Sequence, residues 1–237
     1  MKKTMAFLLL LQTAFLLSCT TNAEDENDDF DAAKVCPLSG RGTFTDDRDG
    51  QVYKFTTIGN QVWMAENLRY DAEYSVCLDE YKTDAYDLIE DFHNGFGCFY
   101  SLQKNGSFAN AVDDSLVKNI CPKGWHLPSI EEWKKMIKEI GDFEGKEKTA
   151  NRLKKDTVFW HSGIGLNTND CFFSALPMGM YVGRFAGKYE GITFFYHNAV
   201  FLSSSVDSLG QIETIKIAVE VNVFNNYPKL PIRCVKD

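Results

Sequence analysis

The residue types that do covalent chemistry stand at few working spacings in this chain. The four histidines, His93, His126, His161 and His197, form no His-Glu-x-x-His motif and no pair at the helical spacing that holds a hydrolytic zinc. The sequence also lacks a Gly-x-Ser-x-Gly elbow, a phosphate-cradling glycine loop and a dinucleotide fingerprint. Asp47 and Asp49 flank Arg48 and precede Gly50, so their carboxylates could contribute to a calcium loop. In that register Thr45 would open the loop and Thr56 would close it, where a bidentate Glu is needed. An Asp-Gly turn between two strands accounts for the segment better, and Asp47 and Asp49 remain weak metal candidates. His126 lies in a Trp-His-Leu-Pro turn, where an imidazole that bonds backbone and packs beside indole is expected. The expectation is a protein that is not an enzyme and carries no cofactor.

The chain has seven cysteines. Setting aside Cys19, the remaining Cys36, Cys77, Cys98, Cys121, Cys171 and Cys234 form an even set without a Cys-x-x-Cys pair or a Cys/His zinc spacing. In an exported chain this predicts up to three disulfides, with the connectivity left open. A Cys121–Cys234 bond, one of the possibilities, would close a loop of about a hundred residues and contribute roughly 4 to 5 kcal/mol in the chain-entropy account. The remaining functional hint is aromatic. Tyr181, Phe185, Tyr189 and Tyr196 crowd a stretch hinged by Gly179, Gly183, Gly187 and Gly191. Such rings can stack on sugars or anchor a partner, or they can form the core side of strands, and the core reading is favoured for the stretch as a whole.

Composition narrows the setting. The 237 residues carry a formal charge of -8 and 44% hydrophobic content, enough for a substantial core and unsuited to a nucleic-acid partner. Lys2 and Lys3 precede an apolar stretch from Met5 to Leu17 and then Ser18, an export leader too short to span a bilayer comfortably. Leu16-Leu17-Ser18-Cys19 resembles the lipobox of bacterial lipoproteins, which implies cleavage after residue 18 and acylation of Cys19. The competing readings are an ordinary secretory leader and an uncleaved anchor. Residues 19–35 follow as an acidic tether containing Glu24, Asp25, Glu26, Asp28, Asp29 and Asp31. The acidic patch reads equally as a plain spacer and as the surface-export signal it resembles in Bacteroidetes lipoproteins.

Residues 36–237 read as one domain. Strands over 42–45, 51–58 and 61–65 separated by Asp-Gly and Gly-Asn turns predict a β-meander. Residues 71–119 predict long loops with one or two short helices. Ser129 and Glu132 form a capping box ahead of an apolar stripe, Ile130, Trp133, Met136, Ile137 and Ile140, that stops at Gly141. A weaker helix is predicted over 146–155, and strands over 172–175, 180–183, 192–196, 199–203, 212–223 and 230–235. Strands, helices and strands in that order predict an α+β domain with a small antiparallel sheet, two helices and long loops.

These segments carry a resemblance. Asp49-Gly50-Gln51-Val52-Tyr53, the run Ile58 to Leu68, Cys121-Pro122-Lys123-Gly124-Trp125-His126-Leu127-Pro128, Phe173-Ser174-Ala175-Leu176-Pro177 and Ile232-Arg233-Cys234-Val235-Lys236 resemble the Fibrobacter succinogenes major paralogous domain family over about 43–236. The resemblance implies an exported, often lipid-anchored protein of Gram-negative bacteria, in a family with no established activity. The helix start and terminal Arg-Cys strand more loosely resemble the formylglycine-generating-enzyme branch of the C-type-lectin-like fold. That implies the domain's ends meeting in one sheet and two helices packed on it. The calcium-binding sugar triplets of lectins are absent, and no cysteine pair maps onto the copper ligands of that enzyme branch. The expectation is therefore a non-catalytic lipoprotein of the bacterial envelope, in the outer membrane and facing either the cell surface or the periplasm, that binds a glycan or an envelope protein. The alternative is a structural or assembly component of the envelope; an enzyme on a lectin-like scaffold stands behind both.

Replacing Cys19 removes the only residue that the lipid reading can acylate. Cys19→Ala is expected to move the protein from the membrane pellet to the soluble fraction, because acyl chains are then its sole attachment. Complete retention in the pellet would rule that reading out.

Overall fold

The computed structural model describes residues 29–77, 96–104, 111–141, 147–156, 160, 167–185, 189–193, 197–218, 221–225 and 229–237, with backbone alone for 182–185, 189–193 and 222–225. Cys19 lies outside the described residues. The segment expected as tether ends in a short helix, α1 (Ala32–Val35), started by the Asp31 carboxylate, which accepts from Ala33 and Lys34 N–H. Phe30 and Val35 pack on the core, and the Val35 carbonyl accepts from Gly59 N–H at 2.8 Å. The last residues before position 36 are thus docked rather than free.

The predicted meander is present as β1 (Gly42–Thr45), β2 (Val52–Ile58) and β3 (Gln61–Met64). Gly50 and Gly59 adopt φ of 76° and 59° at the two turns, the left-handed conformation that favours glycine. Between β1 and β2 the buried Asp46 carboxylate accepts from Arg48 Nε and Nη2, while Arg48 Nη1 donates to the carbonyls of Asn119 and Ile120. Those carbonyls close α2 (Asp114–Asn119), the short helix expected among the loops. The loops also contain a two-stranded ribbon, β4 (Val76–Cys77) with β5 (Cys98–Phe99).

β6 (Trp125–His126) leads into α3 (Ile130–Ile140), whose capping box forms as predicted: Ser129 Oγ accepts from Glu132 N–H and the Glu132 carboxylate accepts from Ser129 N–H. The buried face of α3 is the predicted stripe, and Trp133 meets Trp63 at 4.6 Å, Phe201 at 5.5 Å and Phe173 at 5.8 Å between ring centres. α4 (Glu147–Leu153) packs beside it. The C-terminal half contributes the hairpin β7 (Met180–Phe185) and β8 (Tyr189–Thr193), and the sheet β9 (Ala199–Val206), β10 (Ile212–Ile217) and β11 (Val221–Asn225). β12 (Val235–Lys236) returns to the first sheet and pairs between β3 and β6, giving the order β1-β2-β3-β12-β6. The two ends of the domain therefore meet in one sheet, and the architecture is α+β.

Three predicted strands differ. Residues 172–175 are not a strand: Phe172 and Ser174 sit at φ of 55° and 57°, incompatible with extended chain, and only Ala175 makes a bridge, to Lys154. The long strand over 212–223 breaks at Ala218 and folds back as β10 and β11. Over 230–235 only Val235 is in a strand, with Leu230 in a single bridge to Tyr100, because Pro231 has no N–H to donate to a ladder. Among the described residues no helix is long and apolar enough to cross a membrane.

Trp133 is fully buried at 0% exposure, so Trp133→Ala is expected to cost about 3 to 5 kcal/mol, read as a large fall in Tm. Trp133→Phe should cost much less, since the indole N–H finds no acceptor. Equal, small shifts for both would contradict this packing.

Candidate functional site

The site grows from Arg233, which the terminal segment carries into the core at 0% exposure. Its Nε donates to Asn67 Oδ1 at 2.6 Å, Nη1 to the Met64 carbonyl at 3.1 Å and to the Phe173 carbonyl at 2.5 Å, and Nη2 to the Ser174 carbonyl at 2.9 Å. The guanidinium also lies 4.7 Å from the Phe173 ring centre. Burial pushes its pKa down to about 9, since no carboxylate bonds to it. Asn67 passes the connection on, donating to the Phe96 carbonyl at 2.7 Å.

Above Arg233 opens a cleft of about 240 Å³ between β1, β2 and the irregular 172–176 segment. Arg41, Lys54, Lys155 and Arg233 line it against a single carboxylate, Glu66. Its apolar wall includes Phe55, Leu176 and Phe172, the last 49% exposed. Arg41 lies over Phe172, with the guanidinium carbon 3.4 Å from the ring centre. Its Nη2 donates to the carbonyls of Cys36 and Asp170 at 3.3 and 3.5 Å, so the Cys36–Cys171 disulfide sets both acceptors in place. Burial lowers the Arg41 pKa as well. Glu66 is held as well: Oε2 accepts from Lys54 N–H at 2.8 Å, and Oε1 is 3.7 Å from Lys54 Nζ. Gly42 is required at the rim, because a Cβ there would lie 2.7 Å from the Phe55 ring.

Of the aromatic residues expected to bind ligand, Tyr181 alone has a described side chain, and it does not line the cleft. Tyr181 is 3% exposed and packs on Phe99 at 6.1 Å, so its ring belongs to the interior, as apolar area in strands tends to. Phe185 and Tyr189 are backbone partners in the β7–β8 hairpin, with side chains outside the described residues, and Tyr196 lies wholly outside them. Asp49 is engaged by Gln51, accepting from its N–H and its Nε2 at 3.0 Å each, and Asp47 is exposed at the hairpin tip. Among the described residues no three His, Cys, Asp or Glu side chains converge as a metal site requires. The six cysteines join as Cys36–Cys171, Cys77–Cys98 and Cys121–Cys234. Sequence reasoning missed Arg41, Phe172 and Lys155. The usable signal was an arginine between Gly40 and Gly42 shortly after a cysteine, and a phenylalanine directly after another cysteine.

His126 corrects a second expectation. Its ring bonds two carboxylates instead of backbone, Nδ1 to Asp237 Oδ1 at 2.7 Å and Nε2 to Glu132 Oε1 at 2.8 Å. Partial burial opposes the charged ring, yet the hydrogen bonds to Glu132 and Asp237 outweigh it and raise the pKa above 6.5. Glu132 moves the other way: burial opposes its charge, but bonds from Ser129 and His126 bring its pKa below 4.5. The histidine contribution is complete below its unfolded value and is lost as pH rises through the raised folded value. The glutamate contribution is complete above its unfolded value and is lost as pH falls through the lowered one. The Tm difference between wild type and His126→Gln is therefore expected to peak between pH 4.5 and 6.5 and to shrink in alkali. A difference that goes on growing into alkali would refute the ion-paired clasp.

The family model described as the Fibrobacter succinogenes major domain matches residues 56–236. No curated protein and no solved structure matches the chain, so the lectin-like resemblance gains no support and no known fold lends its chemistry. The match takes in β3, the capped helix α3, Arg233 and β12, leaving Arg41 and Lys54 before it. On that span, most of the folded domain, the chain belongs to the Fibrobacter succinogenes major domain family.

Proposed function

We propose that the protein is a non-catalytic binding module, held at the bacterial outer membrane by acyl chains on Cys19, that captures an extracellular glycan. The observation carrying this is the cleft that joins Arg41, Lys155 and Glu66 to the exposed ring of Phe172. Polar groups fixed by a rigid frame beside an open aromatic face are what recognition of a hydroxylated ring requires. Its volume of about 240 Å³ is below the roughly 300 Å³ at which drug-sized pockets begin, so it suits one sugar unit at a time. Three disulfides support an oxidising compartment, in keeping with the export leader. The cation and carboxylate set at the cleft includes no histidine, cysteine or serine–base pair, and binding is the chemistry it favours.

The test is a broad glycan array probed with the oxidised full-length protein in detergent, in calcium and in chelator, with a reduced sample as folding control. Saturable binding indifferent to chelator is expected. A chelator-sensitive signal would move the ligand to the Asp47/Asp49 turn. No signal from folded protein would overturn the glycan reading and leave a protein partner of the envelope.

A further inference from the structure

Resting on the binding-module reading above, the charge of the cleft specifies its ligand more closely. The chain is acidic at -8, yet here four cations face one carboxylate, and Glu66 is already shared by Lys54 and Arg69 at 3.7 and 3.8 Å. Arg233 is satisfied entirely by neutral oxygens. Arg41 has only two long bonds to carbonyls, its Nε is buried without an acceptor, and no carboxylate pairs with it among the described residues. A guanidinium taken partly out of water without a counter-charge is costly unless an anion completes it. Phe172 fixes its plane from one side, so the fork is held in one orientation and loses little freedom on binding.

We infer that the cleft takes an acidic sugar, a uronate-type ring whose carboxylate meets Arg41 and Lys155 while Glu66 accepts from its hydroxyls. A planar carboxylate matches the guanidinium fork in a way that a neutral sugar cannot. The open part of Phe172, with Leu176 beside it, supplies the apolar contact that the C–H face of such a ring seeks. The site is then electrostatically opposite to the rest of the molecule. The acidic surroundings repel polyanions in general, while the local cations capture a single acidic unit, and this attraction weakens with added salt.

Methyl glucuronide and methyl glucoside differ only in the carboxylate and make the deciding pair. Each is titrated by NMR into the full-length protein in detergent at low salt, with Arg41→Gln and the exposed-site variant Lys155→Gln alongside. The glucuronide is expected to bind saturably, to lose about ten- to a hundredfold in affinity in Arg41→Gln, and to lose a smaller factor in Lys155→Gln. The glucoside should bind at least about tenfold more weakly than the glucuronide. Equal binding of the two sugars, or unchanged affinity in both variants, overturns the acidic-sugar assignment while the binding-module reading stands. Array hits confined to neutral glycans overturn it in the same way. A folded protein that binds neither sugar and no arrayed glycan overturns both. Should Arg41→Gln fail to fold, Lys155→Gln and the sugar comparison still decide.

Discussion

Arg233 places a guanidinium in the interior with no carboxylate to answer it. Such a group is tolerated only when its nitrogens find oxygens, because an unpaired buried charge costs several kcal/mol. Here the oxygens come from two separate stretches of chain: Met64 at the end of β3 with Asn67 just beyond it, and Phe173 with Ser174. One side chain from the C-terminal segment therefore ties both stretches together. It holds 173–174 in a shape that no strand could adopt, and that shape presents Phe172 to the cleft. The adjacent Cys234 is bonded to Cys121, so the covalent and the polar anchor stand on consecutive residues and reach different parts of the chain.

Cross-links take over where regular structure is sparse. Two of the three disulfides join cysteines 135 and 113 residues apart, and in the chain-entropy account loops of that size each contribute about 5 kcal/mol. The third ties off the β4–β5 ribbon at 21 residues. A domain whose sheets are small and whose connections are long gains stability from such constraints on its unfolded chain. The Cys36–Cys171 bond also serves the site directly. It joins the segment before β1 to the segment before Phe173, and the Arg41 guanidinium bridges the same two segments by donating to Cys36 and Asp170.

Charge is distributed unevenly for a reason visible in the packing. Asp46 and Arg48, Glu66 and Lys54, and His126 with Glu132 and Asp237 each neutralise locally around the first sheet. Three cations that no carboxylate bonds among the described residues, Arg41, Lys155 and Arg233, converge at one cleft. The fold thus joins opposite charges along the sheet rim and leaves Arg41 and Lys155 uncompensated at the cleft.

What could be read from the sequence is what depends on neighbours along the chain. The Ser129–Glu132 capping box and the α3 stripe, the two glycine turns of the meander and the family's motif blocks are local patterns, and each stands in the structure as it reads in the sequence. The even cysteine count announced cross-links, while the partners had to wait for the fold, since pairing depends on Cα atoms that come within 4 to 6 Å from distant positions. Tyr181 read as core more readily than as ligand platform, and burial settled it as core. The cleft was illegible for the same reason: Arg41 and the Asp170 carbonyl it touches are 129 residues apart, and the turn that presents Phe172 is held by Asn169 and by Arg233 from the far end of the chain. Short-range hydrogen bonding and hydrophobic period are written into consecutive residues, whereas the site is made by long-range burial of one cation, which consecutive residues do not encode.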